Sequence, residues 1–142
     1  MSSVNIVVDT NVFVAARNPA EAIFSDCRKL LAAVDEGRFR ALISVVTLAE
    51  LRAGFSTAEL PALWTPFLSH LTASPNIAVE LVDREIALTA GEIRREAGLR
   101  LPDALILATA HHRSAKCVAT ADREMLRGKA YAAAMSPSEL LG

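Results

Sequence analysis

The run Val4–Val8 is apolar and β-branched apart from Asn5, and it stops abruptly on Asp9. An ionised carboxylate beside a core is costly unless something balances it. Three more acids sit at the edge of apolar segments: Glu50 in VTLAEL, Asp103 directly after Pro102, and Asp122 just past KCVAT. Oxygen donors of this kind suit a hard divalent cation, Mg²⁺ or Mn²⁺, rather than Zn²⁺. Two unit charges 4 Å apart repel by about 4 kcal/mol at an effective dielectric of about 20. Four acids in one pocket therefore need either protons or a cation. With a cation, such a pocket suits hydrolysis of phosphodiester bonds by metal-activated water. Each acid also has a plainer reading. Asp9 and Asp122 suit turns or helix N-caps, Asp103 suits the positive end of a helix, and Glu50 completes a capping box begun by Thr47.

These residues matter together only if the fold gathers them. The apolar spacing predicts strands at Val4–Val8, Arg40–Ser44, Ile77–Val82, Lys116–Thr120 and Ala130–Met135. Helical spacing predicts Glu21–Glu36, with Ile23, Phe24, Cys27, Leu30, Leu31 and Val34 on one face and Gly37 after it. Further helices are predicted from Thr47 to Gly54, from Arg84 to Ala97 before Gly98, from Asp103 to His112 with Pro102 at the first position, and from Ser138 to Leu141. The stretch Leu60–Leu71 is helical in period but broken by Pro61 and Pro66. Alternating strands and helices imply an α/β fold, with helices on both faces of a parallel sheet. Ligands in such sheets bind beyond the carboxyl ends of the strands, at the point where strand order reverses. Asp9, Glu50, Asp103 and Asp122 all map to that edge.

The 142 residues suit one domain, 1–142, with a core filled by aliphatic side chains, since 52% are hydrophobic but only 5% aromatic. No stretch matches the roughly 18 uncharged apolar residues of a membrane span, and the start lacks the pattern of a secretory signal. Cys27 and Cys117 read as reduced thiols, so the expected location is cytoplasmic. His70, His111 and His112 show no zinc-ligand spacing, and the last two read as structural, at a helix C-terminus. A net charge of −1 gives no general attraction to nucleic acid. Twelve of the fifteen basic residues are Arg, however, the side chain suited to bidentate phosphate contacts, and Arg17, Arg52 and Arg123 lie close to the acidic segments.

Four segments together resemble the PIN-domain ribonucleases, in particular the VapC-type toxins of toxin–antitoxin pairs. They are VVDTNVFVAA at 7–16, ISVVTLAELRAG at 43–54, LPDALILATA at 101–110 and VATADREML at 118–126. The resemblance implies a three-layer α/β/α PIN-like domain with a five-stranded parallel sheet. It implies that Asp9, Glu50, Asp103 and Asp122 are catalytic and bind Mg²⁺ or Mn²⁺, with Asn11 and Thr120 in support. The family commonly has Thr-Asn-Asp in its fourth motif, whereas this chain has Thr120-Ala121-Asp122. It further implies an endoribonuclease acting on RNA, a homodimer, and a small antitoxin as partner. Glu21–Glu36 and Leu60–Leu71, with Trp64 and Phe67, are the candidate antitoxin surfaces unless those side chains are ordinary core. Competing readings are a PIN RNA-processing nuclease without an antitoxin, a phosphatase using Asp9 as nucleophile, and a non-catalytic RNA-binding scaffold.

Overall fold

The computed structural model describes residues 3–142. Its centre is a sheet of five parallel strands: β1 (Val4–Val8), β2 (Phe39–Ser44), β3 (Ile77–Glu80), β4 (Val118–Ala119) and β5 (Ala134–Met135), in the order β3-β2-β1-β4-β5. The chain steps outward from β1 through β2 to β3, then returns to the other side of β1 for β4 and β5. Strand order therefore reverses between β1 and β4, where a ligand-binding crevice is expected.

Alternation along β1 divides the interior into two layers. Ile6 and Val8 point into a cluster with Phe13, Cys27, Leu30, Val34 and Leu71, supplied by α1 (Thr10–Ala15), α2 (Phe24–Asp35) and α4 (Thr65–Ala73). Val7 points the other way, towards Ile86, Ile93, Ile106, Leu107 and Met125. Most of that layer comes from α5 (Arg84–Ala97) and α6 (Leu101–His112). The fold is thus the expected α/β/α sandwich. No helix among the described residues is long and apolar enough to cross a membrane.

Several local expectations shift for physical reasons. The helix expected from Thr47 begins at Val45 as α3 (Val45–Ala53), because Ser44 ends β2 and its hydroxyl caps Val46 N at 3.1 Å. Thr47 and Glu50 form no capping box. The helix expected from Glu21 begins at Phe24, and Pro102 occupies the second position of α6 rather than the first. The last helix, α7 (Pro137–Leu141), starts on Pro137 with a capping box between Ser136 and Glu139. β3 ends at Glu80, two residues short of the expected end. β4 and β5 are shorter still, although Val7 N–Cys117 O and Lys116 N–Asn5 O bonds continue the contact beside β4. Residues 130 and 131 turn instead of extending, with Tyr131 N bonded to Gly128 O, and pairing with β4 starts only at the Ala133 carbonyl, which accepts from Val118 N. The broken segment resolves into a 3₁₀ turn (Thr57–Glu59), a π turn (Leu60–Trp64) and α4, with Pro61 and Pro66 near the joints. Trp64 and Phe67 are half-buried and pack with Phe55, so they are largely core. Cys27 and Cys117 are buried free thiols.

Gly128 shows how tightly the second layer closes. A Cβ placed there would lie 2.5 Å from Leu107 Cδ1. Leu107 is fully buried, so its side chain must shift against packed neighbours to make room. Gly128→Ala is expected to lower stability by about 1–3 kcal/mol through overpacking, read as a reduced denaturant midpoint.

Candidate functional site

Asp9 follows β1 as the N-cap of α1 and is 4% exposed. Its Oδ1 accepts from Thr10 N at 2.8 Å. Its Oδ2 accepts from Thr120 Oγ1 at 2.8 Å and from Asn11 Nδ2 at 3.2 Å. Burial nonetheless pushes its pKa up to about 6, against the lowering effect of Thr120 and Thr10, and Asp103 and Glu50 add repulsion. Those two acids are therefore close enough to be felt at the end of β1.

Thr120 and Asn11 clip the ends of β1 and β4 together. Thr120 Oγ1 donates to Asp9 and accepts from Asn11 Nδ2 at 3.1 Å and Asp122 N at 3.0 Å. Asn11 Oδ1 accepts from Ala121 N at 3.0 Å. Ala121, which lacks the amide side chain that the resemblance implies at this position, meets Asn11 through its backbone. Glu50 is held differently. Thr10 Oγ1 donates to its Oε1 at 2.6 Å and also meets Thr47 Oγ1 at 3.0 Å. The Thr47 that sequence spacing pairs with Glu50 as a cap instead shares a threonine partner with it.

Asp103 lies in the first turn of α6, mostly buried, and its Oδ2 accepts from Arg100 Nε at 3.3 Å. Arg100 is exposed, yet Asp103 chiefly, with Glu50 and Asp122 further off, holds its guanidinium above the ordinary range. One cation therefore faces three of the four expected acids. Sequence reading missed Arg100, although its position three residues before Asp103 across a helix start is a recognisable ion-pair spacing. Asp122 stands apart. It is half-buried, caps Glu124 N at 2.9 Å, and contributes no repulsion at Asp9.

The four acids thus share one edge without closing into a cage. Among the described residues, no group of three or more His, Cys, Asp or Glu is placed to hold a metal ion. The immediate reason is visible in the bonding. Thr10, Thr120 and Asn11 engage Asp9, Thr10 engages Glu50, and Arg100 engages Asp103. Asp9, Glu50 and Asp103 nevertheless offer only oxygen donors on this edge, where burial chiefly, with repulsion from the other two, opposes ionisation of Asp9. That chemistry fits a hard divalent cation.

Of the arginines near the acidic segments, two are committed elsewhere. Arg17 lies over the Phe55 ring at 4.0 Å and Arg52 Nη1 donates to Phe55 O at 3.3 Å. Arg123 remains exposed. The histidines lie at the opposite end of α6, with His112 about 13 Å along the axis from Asp103 at 1.5 Å per residue. His111 Nδ1 is 2.9 Å from Tyr131 O and His112 Nε2 is 2.7 Å from Thr89 Oγ1, contacts that fit a structural role.

Known structures share this fold. The chain is similar to FitAcB from Neisseria gonorrhoeae, at 26% identity and a TM-score of 0.68 over 94% of this chain and 98% of that one. It is similar in fold to a toxin–antitoxin complex from Klebsiella pneumoniae, at 23% identity and a TM-score of 0.65, covering 93% and 97% of the two chains. The same holds for VapBC2 from Rickettsia felis bound to a promoter DNA fragment, at 18% identity and a TM-score of 0.68, covering 93% and 98%. Among curated proteins, none matches the sequence. The PIN domain model matches residues 6–130, which include all four acids, Asn11 and Thr120, and the chain belongs to the PIN-domain family of nucleases.

Proposed function

We propose that the chain is a metal-dependent endoribonuclease and the toxin of a toxin–antitoxin pair. What supports this reading is that Asp103 and Glu50 are felt at Asp9 on the edge where strand order reverses, and that burial chiefly, with their repulsion added, pushes Asp9 up to a pKa of about 6. These three acids would hold Mg²⁺ or Mn²⁺, with Asp122 at the margin. Such an ion, when bound, supplies positive charge to the phosphate and lowers the pKa of a water.

The chain's own residues do the positioning. Thr120, Asn11 and the Thr10 amide fix both oxygens of Asp9. Thr10 Oγ1 orients Glu50. Arg100 holds Asp103 through Nε, which leaves its terminal nitrogens for an RNA phosphate. Water, rather than the RNA 2′-hydroxyl, is the nucleophile. The products then carry 5′-phosphate and 3′-hydroxyl ends. A phosphatase using Asp9 as nucleophile is less well supported, because the residue two places on, Asn11, is tied to Thr120 and Ala121.

A second feature supports the partner reading. A cavity of about 440 Å³ between α2 and α4 is lined by Phe13, Arg17, Arg28, Leu31, Leu63 and Phe67. An apolar groove rimmed by arginines suits an amphipathic segment of an antitoxin carrying acidic residues. A homodimer is part of the same proposal.

Induced expression with mapping of cellular RNA ends tests this reading. The expected outcome is growth arrest with new cuts bearing 5′-phosphates. Cuts that leave 2′,3′-cyclic phosphates would overturn the mechanism.

A further inference from the structure

Thr120 and Asp122 also line a cavity of about 360 Å³ beyond the carboxyl ends of β4 and β5. Its apolar lining includes Leu126 and Met135, and its polar lining includes Arg123, Ser136 and Glu139. Leu126 is 44% exposed, so apolar surface is left open to whatever enters. A ligand there sits directly beside the acidic edge. If RNA is the substrate, the group adjoining the scissile phosphate is a nucleotide, and the cavity is of a size for one planar base.

The polar lining is held in place. Glu139 Oε1 accepts from Ser136 N at 3.0 Å, and Glu139 N donates to Ser136 Oγ at 3.2 Å. The other carboxylate oxygen, Oε2, has no protein hydrogen bond among the described residues. The two bonds from Ser136, with a weaker contribution from Arg123, hold the Glu139 carboxyl below its ordinary range. It is therefore an acceptor with no proton to donate at neutral pH.

We propose that this cavity is a base subsite, in which Leu126 and Met135 pack against the ring and Glu139 selects guanine. The inference rests on the reading of the chain as a ribonuclease. Single-stranded RNA is read through unstacked bases whose Watson–Crick edges form hydrogen bonds. Guanine presents two adjacent donors there, N1–H and the N2 amino group. Uracil presents one donor flanked by two carbonyls, which a carboxylate repels. Adenine and cytosine each place a ring acceptor beside their amino group. Arg123 lies where it can meet the neighbouring phosphate.

The test uses short RNAs that differ at single positions, cut by the full chain in Mg²⁺ or Mn²⁺. The wild type is expected to favour guanine at one position beside the cut by about tenfold. Glu139→Gln keeps the capping geometry, since Gln serves in the same box, but turns a donor towards the base. It should reduce the preference to about twofold or less, with cleavage retained. Leu126→Trp, which fills the cavity, should raise KM for base-bearing RNA and leave KM unchanged for RNA abasic at that position. A wild type indifferent to base, or a preference that survives both substitutions, overturns the subsite and leaves the nuclease reading standing. Absence of cleavage of any RNA overturns the nuclease reading, and the subsite with it.

Discussion

Asp9→Asn is expected to reduce RNA cleavage by on the order of 10³-fold or more, with Asp103→Asn close behind. Asp9 is the acid on which most of the edge acts. The Thr10 amide, the Asn11 side chain and the Thr120 hydroxyl fix it, and burial, with a smaller push from two other carboxylates, raises its pKa. An amide in its place keeps the shape and removes the charge that a cation would need. Loss of folding does not explain the loss of cleavage, because the charge itself opposes folding in the metal-free chain. With a folded pKa of about 6 against an ordinary 3.8, the wild type is favoured below about pH 4. It then loses up to about 3 kcal/mol from this group as pH rises through 6. Asp9→Asn removes that penalty. It gives some of the gain back, because the new amide hydrogens face Thr120 Oγ1, which already accepts from Asn11 and Asp122. Without metal at pH 7.5 the variant should therefore be at least as stable as wild type. A clearly lower melting temperature, or retained cleavage, would remove Asp9 from the role given to it.

Thr120→Val is expected to carry the second large effect, a loss of roughly 10–100-fold in activity. The substitution is close to isosteric but deletes a hydroxyl that serves three groups. Asp9 Oδ2 loses its shorter donor, Asn11 Nδ2 keeps only Asp9, and Asp122 N loses its acceptor. Leaving these groups under-satisfied should cost about 1–3 kcal/mol of stability. Because the Thr120 bond lowers the Asp9 pKa, its removal moves that value further up. The pH–rate profile of the variant should shift to higher pH, and its deficit should shrink as pH is raised. A uniform loss at all pH values would mean that Thr120 supports packing and does not tune the acid.

The acidic edge was largely legible from the chain because a buried strand that ends on a charge is unusual. Val4–Val8 followed by Asp9 carries that contradiction on its surface, while Asp103 is marked differently, by the helix-start signal of Pro102 before it. Glu50 was legible as an acid but not in its setting. Both Ser44 and Thr47 can cap a helix, and only the end of β2 at Ser44 decides between them. The lengths of β4 and β5 were not legible, since Lys116–Thr120 and Ala130–Met135 are apolar enough for longer strands. β5 is shortened by the turn that follows Gly128, where Tyr131 N bonds to Gly128 O. Arg100 offered a local ion-pair spacing to Asp103, but that it also faces Glu50 and Asp122 was invisible, as was the Glu139 cavity. Both depend on which residues from distant segments come to lie side by side.

The bond between Thr120 and Asp9 spans 111 positions of the chain. A ribosome releasing this polypeptide exposes Asp9 long before the hydroxyl that steadies it. Until then the first strand lacks its β4 neighbour and the acids have no common edge. A chain released only as far as β4 thus has its first acid in place but not the clasp that holds it.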